Sequence, residues 1–205
     1  MKRFNTFLSA VLAGAAIGIG GLVFLALDNK VLGALFFCVG LFTICTFGFN
    51  LFTGKVCYFF DNDGRYRINL LWIWLGNLVG TGITALLARG TRLISLSEKA
   101  ASMCEIKMND SLLSLFILAI LCDILIYIAV DGFKNNPHEL GKYLSLIFGV
   151  TVFILAGFEH SVADMFYFFM AGIVNGRMIL CLIVISLGNA VGGVLFPLLR
   201  KLINR

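Results

Sequence analysis

Two histidines occur in the chain, and one, His160, stands inside the eighteen-residue apolar run "LAGFEHSVADMFYFFMAG", Leu155 to Gly172. Glu159 precedes it and Asp164 follows four residues later, one helical turn on. An imidazole can donate or accept a hydrogen bond, carry a proton or bind a metal. A His/Asp pair at this spacing could hold a metal, but no further ligand accompanies it, so no metal site is expected. "EHSVAD" is not HExxH, and no Ser/His/Asp set stands out, so an enzyme is not expected. In a water-soluble protein a lone buried His is most often a satisfied core residue. In hydrocarbon an ionisable group is costly and usually functional, so His160 is read as lining a pathway. Glu159, beside an interruption of the helix, is read as an anchor for loose backbone N–H groups.

The rest of the sequence says what must position these residues. The chain has 205 residues, 60% of them hydrophobic and only 13% charged, with mean hydropathy +0.99. That is too little charge to cover a soluble surface, and no stretch is left for a separate soluble domain. Residues 1–205 are read as one membrane domain. The net charge of +5 does not imply nucleic acid, because the basic residues cluster at the ends of apolar segments. The six cysteines form no CxxC pair and read as small core residues, without a disulfide framework or zinc. The basic, apolar start resembles a signal peptide, but its apolar run continues to Leu27, so a retained transmembrane helix is expected.

Hydropathy gives six segments: Phe7–Leu27, Leu32–Phe60, Ile68–Ala88, Leu112–Val130, Tyr143–Phe169 and Met178–Leu199. The second and fifth are long and interrupted, by "FGFNLFTGK" at Phe47–Lys55 and by "AGFEHS" at Ala156–Ser161. A helix carrying "LGNLVG", Leu75–Gly80, follows the first interruption, and one carrying "LGNAVG", Leu187–Gly192, follows the second. Two copies of three helices, spanning about 1–90 and 105–205, must insert upside down relative to each other. The expected fold is therefore all-α: six transmembrane helices in an inverted 3+3 repeat, with the second and fifth helices broken near mid-membrane. Broken helices leave backbone groups that only protein or a cavity can satisfy, and their N-termini suit an anion. Thr53 and His160 then share a central site, with Asn189 placed to hold the imidazole. Gly54 and Gly157 are read as structural at the breaks. Small-xxx-small pairs at Gly14/Gly18, Gly76/Gly80 and Gly188/Gly192 predict close helix contacts, within the bundle or toward a neighbouring subunit. Ten of the sixteen Lys and Arg residues fall inside if both termini are cytoplasmic.

"LFTGK", "AGFEHSVADMFYF" and "LGNAVGG" together resemble the signatures of the formate–nitrite transporter family, along essentially the whole chain, which is most similar to its hydrosulfide channel branch. The resemblance implies an aquaporin-like protomer, assembled as a homopentamer in the cell membrane with one pore per subunit and no cofactor. It implies conduction of hydrosulfide, formate or nitrite. By motif His160 is the central histidine, Thr53 its partner and Asn189 the supporting amide. Lys107 matches the basic residue near the outer vestibule; on its own it reads as an interfacial snorkelling lysine. Two apolar constrictions are implied, at Leu41, Leu51 and Phe52 on one side and at Phe37, Ile126 and Phe153 on the other. The bland reading of these six is plain helix packing. Asp164 and Asp123 stand where the family commonly has Asn, and both add potential negative charge near the pathway. An intramembrane enzyme or redox-complex subunit, and a scaffold subunit without a pore, are the rivals from other classes.

Overall fold

A computed structural model describes residues 2–203. Every element among them is helical: α1 (Lys2–Ala26), α2 (Lys30–Phe47), α3 (Phe52–Val56), α4 (Gly64–Arg89), α5 (Ser97–Asn109), α6 (Leu112–Asn135), α7 (Glu139–Ala156), α8 (Ser161–Ala171) and α9 (Gly176–Ile203), with short 3-10 turns at Phe59–Asp61 and Arg92–Leu96. Six of these, all but α3, α5 and α8, are long and apolar enough to cross a membrane. Short polar residues start several of them. The carboxamide of Asn29 accepts from Val31 and Leu32 N–H, Asp63 accepts from Tyr66 N–H, and Ser111 accepts from Ser114 N–H.

The two long apolar segments each become a full helix, a break and a half-helix. The first runs α2, residues 48–51, α3; the second runs α7, residues 157–160, α8. Gly48 (φ 70°) and Gly157 (φ 73°) end the full helices in the left-handed conformation that glycine alone adopts without strain. Gly54 is different. It lies inside α3 without a positive φ, so the glycine that turns the first break is Gly48, which corrects the structural role expected of Gly54.

The helices pack as two equivalent groups. α1 lies against α2 and α4, and α6 lies against α7 and α9, with α2 and α7 joining the groups. Each half-helix then packs across onto the other group: α3 on α9 and α6, and α8 on α4 and α1. The closest approaches repeat as well. A Cβ at Gly80 would stand 2.0 Å from the carbonyl oxygen of Val11, and one at Gly192 would stand 2.1 Å from that of Ile120. Val11 and Ile120 are 109 residues apart, as are Gly48 and Gly157. These glycines thus serve contacts within the chain. Outside, the bundle exposes large apolar side chains such as Phe36, Leu86, Phe148 and Leu187, as a surface facing lipid or another subunit must.

One element is absent from the hydropathy pattern. Residues 97–109 form α5, a polar helix that docks against α8. Its mean composition is that of a connection, so a search for apolar runs passes over it.

Candidate functional site

Two asparagines build the site by holding the broken backbone. Asn77 Oδ1 accepts from Phe52 N–H (2.8 Å), while its Nδ2 donates to the carbonyls of Ala10 (2.8 Å) and Asn50 (2.9 Å). Asn189 Oδ1 accepts from Ser161 N–H (2.9 Å), and its Nδ2 donates to the carbonyls of Ala119 and Glu159, both at 2.9 Å. The partners correspond one for one: Ala10 with Ala119, Asn50 with Glu159, Phe52 with Ser161, each 109 residues apart. Both amides are fully buried. Each satisfies one donor and two acceptors that hydrocarbon would leave bare. Asn189 was expected to hold the imidazole; two of its bonds instead go to backbone on either side of His160 and the third to Ala119 of α6, because the break has the greater number of unsatisfied groups. Asn77 was not among the expected site residues, although "LGNLVG" matching "LGNAVG" was the signal that could have found it.

His160 is the N-cap of α8. Its Nδ1 accepts from Ala163 N–H at 3.1 Å, and its Nε2 lies 3.0 Å from Thr53 Oγ1. A neutral imidazole whose Nδ1 accepts must carry its proton on Nε2. Nε2–H therefore donates to the Thr53 oxygen, and the Thr53 hydroxyl proton remains available as a second donor. The Phe153 ring stacks on the imidazole (centroids 5.4 Å, planes 15° apart), and Phe37 meets Phe153 edge-on at 6.2 Å. By the 109-residue correspondence, the position matching His160 in the first repeat is Leu51.

Two cavities converge on this pair. The first, about 570 Å³, is lined by Lys30, Phe37, Phe153, His160 and Asp164 among others, and opens near the start of α2. The second, about 530 Å³, is lined by Leu41, Leu51, Gly54, Lys55 and Lys134 among others, near the end of α2. Along α2 only the turn from Phe37 to Leu41 separates them, about 6 Å of helix. His160 lines the first cavity, and Leu51 and Gly54, which bracket buried Thr53 in sequence, line the second. Of the residues expected at the constrictions, Phe37 and Phe153 line the first cavity, and Leu41 and Leu51 the second. Buried Ile126 and half-buried Phe52 are not among the lining residues of either.

The charged residues differ more from expectation. Lys107 does not snorkel. It is 8% exposed, and its ammonium binds Glu159 Oε2 and, at 2.9 Å, Asp164 Oδ1. Burial works against its charge, and the Asp164 and Glu159 carboxylates outweigh that, holding Lys107 above the ordinary lysine range. The Glu159 side chain therefore serves an ion pair, not the loose N–H groups of the break; its backbone carbonyl is what Asn189 anchors. Asp164 is the third member of this cluster. Asp123, fully buried, lies away from both cavities against Gly193, with no partner on either oxygen among the described residues.

Six spans, two half-helices meeting between them, and cavities reaching that meeting point from both ends define a multi-pass membrane protein of the channel and transporter class. Comparison with known proteins gives the particular family. The sequence model described as "Formate/nitrite transporter" matches residues 1–202, and the chain belongs to the formate/nitrite transporter family. It is 26% identical to the nitrite transporter NirC of Escherichia coli (strain K12), over 93% of this chain and 80% of that protein. It is 29% identical to a probable formate transporter of Methanothermobacter thermautotrophicus, over 90% and 83%. Among solved structures it is similar to a pentameric formate channel with formate bound, with TM-score 0.83 and 26% identity, covering 98% of this chain and 97% of that one.

Proposed function

We propose that the protein conducts a small monovalent anion of a weak acid through the centre of each subunit, with hydrosulfide as the preferred substrate. The observation that carries this reading is the septum: a single helical turn between two cavities, crossed by the His160–Thr53 pair. Phe37 and Phe153 on one side, with Leu41 and Leu51 on the other, are the apolar gates. An ion stripped of water in such surroundings costs tens of kcal/mol on idealised scales, roughly. Two features lower that cost. Lys55 and Lys134 line the second cavity, and no carboxylate lies among its described lining residues, so an anion collects there. At the septum the Thr53 hydroxyl offers a donor, oriented by the Nε2–H that His160 donates to its oxygen.

His160 acts as the neutral imidazole. Protonating Nδ1 would break its cap bond to Ala163 N–H, and desolvation also disfavours the imidazolium. The anion is therefore met by hydrogen bonds, and crosses most easily once a proton from the aqueous side makes it a neutral acid. Hydrosulfide suits this route because its acid titrates near neutrality, so gaining and losing the proton is nearly balanced. Formate and nitrite are the second reading, favoured by the names of the relatives above. By the same likeness the assembly is a homopentamer in the cell membrane. The Lys and Arg distribution favours both termini in the cytoplasm. Uptake of hydrosulfide, formate and nitrite by proteoliposomes at one pH tests the proposal: hydrosulfide should be fastest, and equal rates for empty liposomes would end it.

A further inference from the structure

Lys107, Glu159 and Asp164 come from three parts of the chain: α5, the second break and the first turn of α8. Their side chains are 10%, 7% and 2% exposed, and one ammonium binds both carboxyl groups. Glu159 and Asp164 are thereby held side by side on one ammonium. Two carboxylates sharing one site repel each other, and a proton on one of them removes that repulsion. The charges agree. One ammonium and two carboxylates leave a net charge of −1, whereas one added proton brings the cluster to zero. The second Asp164 oxygen, Oδ2, is buried at the wall of the first cavity with no partner among the described residues. A bare oxygen costs more on a full carboxylate than on a neutral acid.

We propose that Glu159 and Asp164 share one proton beneath Lys107, making a proton-binding site in the first cavity that governs the approach of an anion to His160. The site requires Asp164: with an amide at that position, Lys107 and Glu159 would neutralise each other and hold no shared proton. Among the described residues no cation other than Lys107 pairs with either carboxyl group. Nearby stand Cys104 of α5, Cys122 of α6, Cys181 of α9, and His160 and Tyr167 of α8, while Arg177 of α9 is taken by the carbonyls of Met108 and Asp110. α1 faces α8 with Gly18 and Gly21, and Arg89 of α4 binds the Met170 carbonyl at the far end of α8. α3 turns Thr53 to His160 and Lys55 to the second cavity. Asp28, Lys30 and Lys99 lie at the mouth of the first cavity, Asp28 and Lys99 paired with each other. With the proton bound the cluster is neutral and an anion passes. As pH rises the proton leaves, the cluster becomes −1, and anions are repelled from the cavity.

The transport consequence rests on the anion-pathway reading; the proton site itself does not, and infrared spectroscopy tests it alone. In reconstituted protein, the C=O stretch of a deuterium-sensitive carboxylic acid should be present at neutral pH. It should lose intensity in both Asp164→Asn and Glu159→Gln, with Asp123→Asn subtracting the other buried carboxyl. A band unchanged in both variants overturns the proposal. Nitrite, which stays an anion across the neutral range, then reads the consequence. Wild-type flux should fall with rising pH more steeply than that of Asp164→Asn, by up to about tenfold more per unit, the slope of a one-proton site; the fall left in the variant is that of the protonation of nitrite itself. The same pH slope in both proteins overturns the control of anion entry. Absence of all anion flux, with the infrared result intact, counts against the proposed function instead.

Discussion

At the residue scale the site is two hydrogen-bond problems solved side by side. His160 spends Nδ1 on the start of α8 and keeps Nε2–H for Thr53, so its tautomer is set by backbone and its free function is donation. Thr53→Val keeps the shape and removes both the acceptor and the second donor. It should raise the barrier by about 1–3 kcal/mol, the worth of a buried partner lost, read as slower uptake in proteoliposomes with unchanged yield of folded protein. His160→Asn should alter rate, selectivity and pH response together; a variant equal to wild type in all three removes His160 from the mechanism. Asn77 and Asn189 act on stability. Replacing either by Ala strands one N–H and two carbonyls, at about 1–3 kcal/mol each, and thermal unfolding in detergent should show a similar loss for both.

At the element scale the breaks were legible in the sequence, and their chemistry only in part. A glycine beside polar residues inside a long apolar run marks an interrupted helix, and a repeated "LGN" marks the helix that faces it. What the sequence could not give was the direction of the side chains. Glu159 and Lys107 are 52 residues apart, and nothing local says that α5 folds back to meet α8. For the same reason Lys107 read as a surface lysine. The glycines separate likewise. Gly157→Ala forces a left-handed alanine and should cost about 1–2 kcal/mol. Gly54→Ala meets only Val130 at 3.4 Å and should be neutral or gain up to about 1 kcal/mol. Melting temperatures of the two variants in one detergent check the contrast.

At the scale of the whole molecule the inverted repeat makes the architecture symmetric and the sequence makes its function asymmetric. Equivalent asparagines, glycines and close helix contacts recur after 109 or 112 residues, which is why the fold followed from hydropathy and two motifs. The positions that break the symmetry carry the chemistry: His160 against Leu51, and Asp164 against Lys55. As a result the first cavity holds a lysine bound by two carboxyl groups, and the second holds two lysines and no described carboxylate. Lys55→Met and Lys134→Met should each slow flux at low anion concentration and flatten its dependence on ionic strength, measured by uptake at several salt concentrations. The central claim is that an anion passes the septum between these cavities. Flux of hydrosulfide, formate and nitrite into proteoliposomes, compared with protein-free liposomes at the same pH, addresses it most directly. The account predicts protein-dependent uptake, fastest for hydrosulfide and slowed by Thr53→Val; no protein-dependent uptake of any of the three, at any pH, would contradict it.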